Sequence, residues 1–110
     1  MKITQGDTYT TVTCKVYKNG TLCDLTNAYV KFYMRNKTSN NVYSIVCTVS
    51  NNVISFIWNH LTTVEPGVYI ANYYIYFPSG DAISIPNERY IDIVIKEAIT
   101  PLGASALILA

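Results

Sequence analysis

The sequence predicts an all-β domain, an antiparallel β-sandwich of about seven short strands. Three observations carry that prediction. Apolar side chains recur with a period of two along most of the 110 residues. Turn-forming residues interrupt these runs roughly every 8–12 residues, the spacing of a sandwich. No segment shows a convincing apolar period of about 3.6, so no helix is expected in the packed layers.

The elements follow in order. Across residues 9–18, Val12, Cys14 and Val16 fall on one face, and Thr11, Thr13, Lys15 and Tyr17 on the other. Asn19-Gly20 ends this strand, because both residues tolerate positive φ. Residues 24–27 lead into a strand over 28–35, where Val30, Phe32 and Met34 alternate with Tyr29, Lys31, Tyr33 and Arg35. The polar stretch 36–41 reads as a hairpin loop. Val42–Ser50 follows, with Tyr43, Ile45, Cys47 and Val49 in phase, and Asn51-Asn52 makes the next turn. The strand over 53–58 has Ile54, Phe56 and Trp58 on one face, and residues 59–66 form a connection with room for a short helical turn. Residues 68–77 make the longest strand. Pro78-Ser79-Gly80-Asp81 closes a hairpin to Ala82–Ile85, Pro86-Asn87 breaks that strand, and residues 89–96 form the last one with Ile91, Ile93 and Ile95. Short connections between consecutive strands imply a mainly antiparallel pair of sheets.

The chain divides into a sandwich over residues 1–97 and a tail over 98–110. Glu97 is the last charge, and Ala104-Ser105-Ala106-Leu107-Ile108-Leu109-Ala110 is almost wholly apolar. Left in water, such a segment promotes aggregation. It either folds back on its own domain or packs against another chain. The second reading is preferred, with Leu102, Leu107, Ile108 and Leu109 as contact residues.

One stretch sharpens the class. Glu65-Pro66-Gly67-Val68-Tyr69-Ile70-Ala71 resembles the D-x-G-x-Y-x-C segment of immunoglobulin domains, in which the Tyr bonds back to upstream backbone. The resemblance gives Tyr69 that corner role and puts Ala71 where the Cys would stand. No Cys follows Trp58, so the expectation is an immunoglobulin-like sandwich without the disulfide.

Half of the residues are hydrophobic and 14% are charged, which excludes a disordered chain. Eight basic and seven acidic residues give a formal charge of +1, which argues against binding nucleic acid through phosphate neutralisation. No apolar run follows Lys2 and none reaches about 18 residues, so neither a secretory signal nor a membrane partner is expected. Cys14, Cys23 and Cys47 are odd in number and lack a C-x-x-C pair, so they read as free thiols of a reducing compartment. Asn19-Gly20-Thr21 and Asn36-Lys37-Thr38 match the glycosylation sequon but serve more simply as turns.

Catalytic arrangements find little support. His60 is the only histidine, any Ser-His or Cys-His arrangement would have to use it, and no G-x-S-x-G elbow is present. Asp7, Asp24, Asp81 and Asp92 are not spaced as a calcium loop, and one His with scattered Cys does not make a zinc site. Glu65, Glu88 and Glu97 lack the insertions that would build a glycosidase cleft. No enzyme activity, metal or cofactor is expected.

Tyrosine is the informative anomaly, at ten of 110 residues. In residues 68–77, Tyr69, Ala71, Tyr73, Ile75 and Phe77 share one face, while Val68, Ile70, Asn72, Tyr74 and Tyr76 share the other. A strand with one wet face alternates apolar and polar residues. This one is aromatic or apolar on both, so the face opposite the core calls for a cover. Tyr29 and Tyr33 stand opposite Val30, Phe32 and Met34 in the same way. Tyr is enriched at interfaces, and it also has high β-propensity on solvated sheets. The interface reading is preferred, with Tyr29, Tyr33, Tyr74 and Tyr76 as contacts. The alternative is a carbohydrate-binding module using Trp58, Asn59 and Tyr74 as a sugar platform; a small hydrolase relying on His60 ranks last.

Lys2-Ile3-Thr4-Gln5-Gly6-Asp7-Thr8, then Asn19-Gly20 and Asp24-Leu25-Thr26, Ala28-Tyr29-Val30-Lys31-Phe32-Tyr33-Met34, Pro66-Gly67-Val68-Tyr69-Ile70-Ala71, Pro78-Ser79-Gly80 and Tyr90-Ile91-Asp92-Ile93-Val94-Ile95 follow one another in order. Over residues 1–97 this order resembles the N-terminal domain of phage baseplate upper proteins and related tail or head fibre proteins. The resemblance implies a virion structural domain, an adaptor or anchor of a head fibre or baseplate. It implies a homo-oligomer, a trimer above others, with capsid, baseplate or fibre subunits as partners and no catalytic residues. That family continues into a shaft or receptor-binding region that this sequence lacks, so receptor binding by this chain is not expected.

Overall fold

The computed structural model describes residues 1–86 and 89–99. The described residues form strands and turns with no helix. The strands are β1 (Lys2–Thr4), β2 (Thr11–Cys14), β3 (Tyr17–Lys18), β4 (Thr21–Leu22), β5 (Tyr29–Asn36), β6 (Val42–Ser50), β7 (Val53–Ile57), β8 (Gly67–Tyr76), β9 (Ala82–Ile85) and β10 (Ile91–Lys96). The all-β class read from the period-two pattern is therefore the class observed.

The strands pair in the order β1-β10-β8-β5-β6-β7-β2, with β9 also on β8 and β3–β4 forming a separate two-stranded hairpin. β8 is the hub. One edge pairs with β5 along the whole of that strand, and the other takes β10 on residues 67–71 and β9 on residues 73–76. β6 divides its edges between neighbours: residues 42–47 pair with β5 and residues 48–50 with β7.

This division curls the sheet over on itself. Phe32 of β5 stacks on Phe56 of β7 with ring centroids 4.6 Å apart, and Phe56 lies 6.3 Å from Tyr73 of β8. Along the pairing path β7 is two strands from β5 and three from β8. Neighbouring strands are spaced by about 4.8 Å, so a flat sheet would keep these rings well apart. They meet because β7 and β2 bend over to face β5 and β8. Phe32, Phe56, Trp58 and Tyr73 fill the space between, with Val30, Ile54 and Ile75 around them. Trp58 meets both Phe32 and Phe56 edge-on, an arrangement favoured by the ring quadrupoles.

Several connections follow the sequence closely. Asn19 and Gly20 have φ of 52° and 80°, and Asn51 and Asn52 have φ of 51° and 61°. Both pairs are two-residue hairpin connections, and two successive positive φ values mark the turn whose twist matches the flanking strands. The corner forms as expected: Tyr69 donates its hydroxyl to the Glu65 carbonyl at 2.6 Å.

Elsewhere the structure departs from expectation. Residues 9–18 do not make one strand. β2 ends at Cys14, and the Val16 carbonyl instead accepts from the Cys23 amide at 2.8 Å, which draws β3 into its own hairpin with β4. β1 is an additional strand, and it pairs with β10 in parallel, so the sheet is mixed. Residues 59–66, by contrast, do hold a short helical turn: the Asn59 carbonyl accepts from the amides of Thr62 and Thr63, both at 3.1 Å, and its side-chain oxygen caps the amides of Leu61 and Thr62, both at 3.0 Å. β6 takes part in both pairings, so the facing strands belong to one curled mixed sheet, with β3–β4 as a small second sheet.

The closed core sets a pH response. Burial pushes the Cys47 thiol up to about 12 and raises the Tyr73 phenol and the Cys14 thiol above their ordinary values. Each group is held neutral more firmly in the folded chain than in the unfolded one. Their contribution is complete below the ordinary thiol value of 9.0 and is lost as pH rises toward the folded value of about 12. The urea midpoint is expected to fall between about pH 8 and about pH 11, and less steeply in Cys47→Ala. A midpoint that stays level over that range would contradict the burial of these groups.

Candidate functional site

β5 and β8 turn one row of side chains into the core and the other outward. On the outward side Tyr29 stands opposite Tyr76, Lys31 opposite Tyr74, Tyr33 opposite Asn72, and Arg35 opposite Ile70. β6 extends the rows with Val46 beside Lys31 and Val42 beside Arg35. β9 extends them the other way with Ala82 beside Tyr76 and Ser84 beside Tyr74. The four tyrosines expected as contacts are thus brought onto one continuous face. Tyr29 is 49% exposed, Tyr76 42% and Tyr74 37%, while Tyr33 is half-buried.

The rings touch one another. Tyr74 and Tyr76 lie 4.9 Å apart between centroids, Tyr29 and Tyr76 5.9 Å, and Tyr33 and Tyr74 6.4 Å edge-on. The Lys31 ammonium sits 5.6 Å from the Tyr33 ring centroid, within cation–π range. Asn72 donates to the Ser84 hydroxyl at 2.8 Å, tying β9 to the platform. Desolvation, followed by the nearby Tyr33 and Tyr74 phenols, raises the Tyr76 phenol above its ordinary value. Beside the cluster, Tyr33, Arg35, Val42, Ile70, Asn72 and Tyr90 border a shallow depression of about 160 Å³. That is smaller than the sites of drug-sized ligands, about 300–1,000 Å³. The face is therefore a broad aromatic surface with two cations on β5, suited to burying area against another surface.

The remaining candidates are placed apart. His60 is exposed in the loop between β7 and β8. Asp7 is engaged by its own turn: its carboxylate accepts from the amides of Tyr9 and Thr10 and from the Thr10 hydroxyl, and these bonds hold it below the usual carboxylate range. Glu65 accepts from Ser39 Oγ at 3.1 Å, Asn41 Nδ2 at 3.2 Å and Tyr43 Oη at 3.1 Å. That carboxylate fastens the β5–β6 connection to the loop before β8. Among the described residues no three His, Cys, Asp or Glu side chains gather as a metal site.

Leu102, Leu107, Ile108 and Leu109 lie outside the described residues. Sequence reasoning did not name Val42 and Val46, which are 61% and 55% exposed on the tyrosine face. The signal was present, since both are out of phase with Ile45 and Cys47 on β6. Scanned against protein-family models and compared with curated proteins, the chain matches none.

Proposed function

We propose that this chain is an immunoglobulin-like virion structural domain, an adaptor or anchor of a phage head fibre or baseplate, that assembles through its outer tyrosine face. The observation that carries the assembly role is that face. Tyr29, Tyr74 and Tyr76, with Val42 and Val46, form one exposed aromatic and apolar surface. Each buried aromatic side chain contributes about 150–250 Å². Tyr29, Tyr74 and Tyr76 are 37–49% exposed, so less than half of that area is left to bury on each, and the roughly 800 Å² per partner of a standard interface also draws on the flanking valines, Lys31 and Arg35. The parallel β1–β10 pairing, the β2–β7 pair facing β5 and β8, and the Tyr69 bond to Glu65 support the immunoglobulin-like reading. The virion setting rests on the order of sequence segments that resembles phage fibre and baseplate domains.

The test is the solution mass by light scattering behind size exclusion. The wild-type chain is expected as a closed oligomer, a trimer above other states. Tyr74→Ala combined with Tyr76→Ala is expected to reduce it to a monomer that still melts cooperatively. An unchanged mass in the double variant removes the face from the assembly. The second reading is a carbohydrate-binding module, favoured by the Tyr74–Tyr76 pair next to the polar Asn72 and Ser84. It is preferred if the wild-type chain is a monomer that binds glycans and loses that binding in the same double variant.

A further inference from the structure

The outer tyrosine face is cationic as well as aromatic. Alternation about the buried Phe32 and Met34 turns Lys31 and Arg35 of β5 outward. Alternation about the buried Ile93 and Ile95 turns Asp92 and Lys96 of β10 to the same side, since Asp92 stands opposite Ile70, which in turn stands opposite Arg35. Lys2 of β1 joins them, opposite Val94. Among the described residues the face thus sets Lys2, Lys31, Arg35 and Lys96 against the carboxylate of Asp92. It is a cationic face on a chain whose formal charge is only +1, so the rest of the chain is net acidic. Two copies meeting face to face would set these cations against one another, and like charges juxtaposed across an interface oppose the contact.

A surface of the opposite kind lies at one end of the same domain. Gln5 ties three segments together there: its amide donates to the Lys96 carbonyl at 2.7 Å, its Nε2 donates to the Val64 carbonyl at 2.8 Å, and its Oε1 accepts from the Ala98 amide at 3.2 Å. The Thr63 hydroxyl donates to the Asp7 carbonyl at 3.1 Å, and the Gly6 amide donates to the Thr63 carbonyl at 3.1 Å. Asp7, Glu65 and Glu97 are gathered around Gln5 in this way, bordered by Lys96 and by Lys37 of the β5–β6 turn, which Glu65 fastens through Ser39. The same bonds bring exposed apolar side chains to this end: Leu61 is 67% exposed, Val64 55% and Ile99 89%. Aliphatic groups among carboxylates are the complement of tyrosine rings among cations. The first bury area against the rings, and the second meet Lys31 and Arg35.

We infer that the acidic end around Gln5 of one copy seats on the tyrosine face of the next, head to tail. This rests on the reading of that face as an assembly surface, and it names what covers it. A contact between two different patches can close into a ring such as a trimer, whereas a face-to-face pairing stops at a two-fold dimer. Because opposite charges meet across it, the contact weakens as salt screens them.

Two variants of the full chain, alone and mixed, test this. Tyr74→Ala plus Tyr76→Ala removes the face and keeps the end. Leu61→Lys plus Val64→Lys changes only exposed side chains of the end and keeps the face. By light scattering each is expected to be a monomer alone, with a cooperative melt, and an equimolar mixture is expected to give a one-to-one heterodimer, because one intact face then meets one intact end. In the wild-type chain, which needs no substitution, raising sodium chloride from about 0.05 to about 0.5 M is expected to raise the concentration at which half of the chain assembles about tenfold. An end variant that keeps the wild-type mass, a mixture that forms no heterodimer at any concentration, or an assembly that salt leaves level or tightens overturns the inference. If the tyrosine variant is nonetheless a monomer in those cases, the face keeps its assembly role with another surface seated on it. A wild-type chain that is monomeric at every concentration overturns both readings.

Discussion

Phe32→Ala is expected to lower folding stability by about 3–5 kcal/mol. Phe32 is 1% exposed and meets Phe56, Trp58 and Tyr73, so it joins the strands that curl over to the strands they face. Deleting its ring removes transfer free energy and leaves a cavity that strands on both sides of the curl would have to close together. Small domains are stable by about 5–15 kcal/mol, so the loss takes a large share of the whole. For a domain of this size each kcal/mol corresponds to about 4–8 °C in Tm, which gives a fall of at least about 12 °C. Thermal melting followed by near-ultraviolet circular dichroism reads both the shift and the loss of fixed aromatic packing. A shift of only a few degrees would show that the two halves of the curl are held by something other than this cluster.

Gly67→Ala is expected to cost about 2 kcal/mol or more, although it adds a single methyl group. Gly67 opens β8 at φ of 145°, a conformation that side chains rarely adopt. An added Cβ would also meet Asn36 Nδ2 at 2.7 Å. Asn36 cannot move freely. It is buried at the end of β5, and its side-chain oxygen accepts from the amides of Thr38 at 2.8 Å and Ser39 at 3.1 Å. The substitution therefore strains β8 and disturbs the turn from β5 to β6 together. Urea titration measures the loss. Asn36→Ala in the same background checks the cause: the combined effect is expected to be smaller than the sum of the two single effects.

Much of the fold was legible because burial on one face imposes alternation. Val30, Phe32 and Met34 on β5, and Ile54, Phe56 and Trp58 around β7, are buried in the phase their spacing indicates. The turns at Asn19-Gly20 and Asn51-Asn52 were legible for a different reason, the tolerance of Asn and Gly for positive φ. What was not legible is partner choice. Val12, Cys14 and Val16 alternate without interruption, yet Val16 leaves the main sheet because Cys23 bonds to its carbonyl. β6 changes neighbour after Cys47 with no change in its pattern. Ile3 is the one buried residue of β1, too little for a periodic signal, and its partner Ile95 is far away in sequence. The tyrosine face was visible as a missing polar row on β8.

The pairing of β1 with β10 also bears on load. The two strands run parallel from Lys2 opposite Val94 to Thr4 opposite Lys96, and the ladder extends through the Val94 amide to the Met1 carbonyl and the Gln5 amide to the Lys96 carbonyl. A pull on residue 1 against a pull beyond residue 96 drags these strands along their length in opposite directions. The bonds between them are then strained all at once, in shear, rather than opened one after another like a zip. A domain joined to its surroundings through those two strands would yield stiffly, as a clamp does, before any of the curled core came apart.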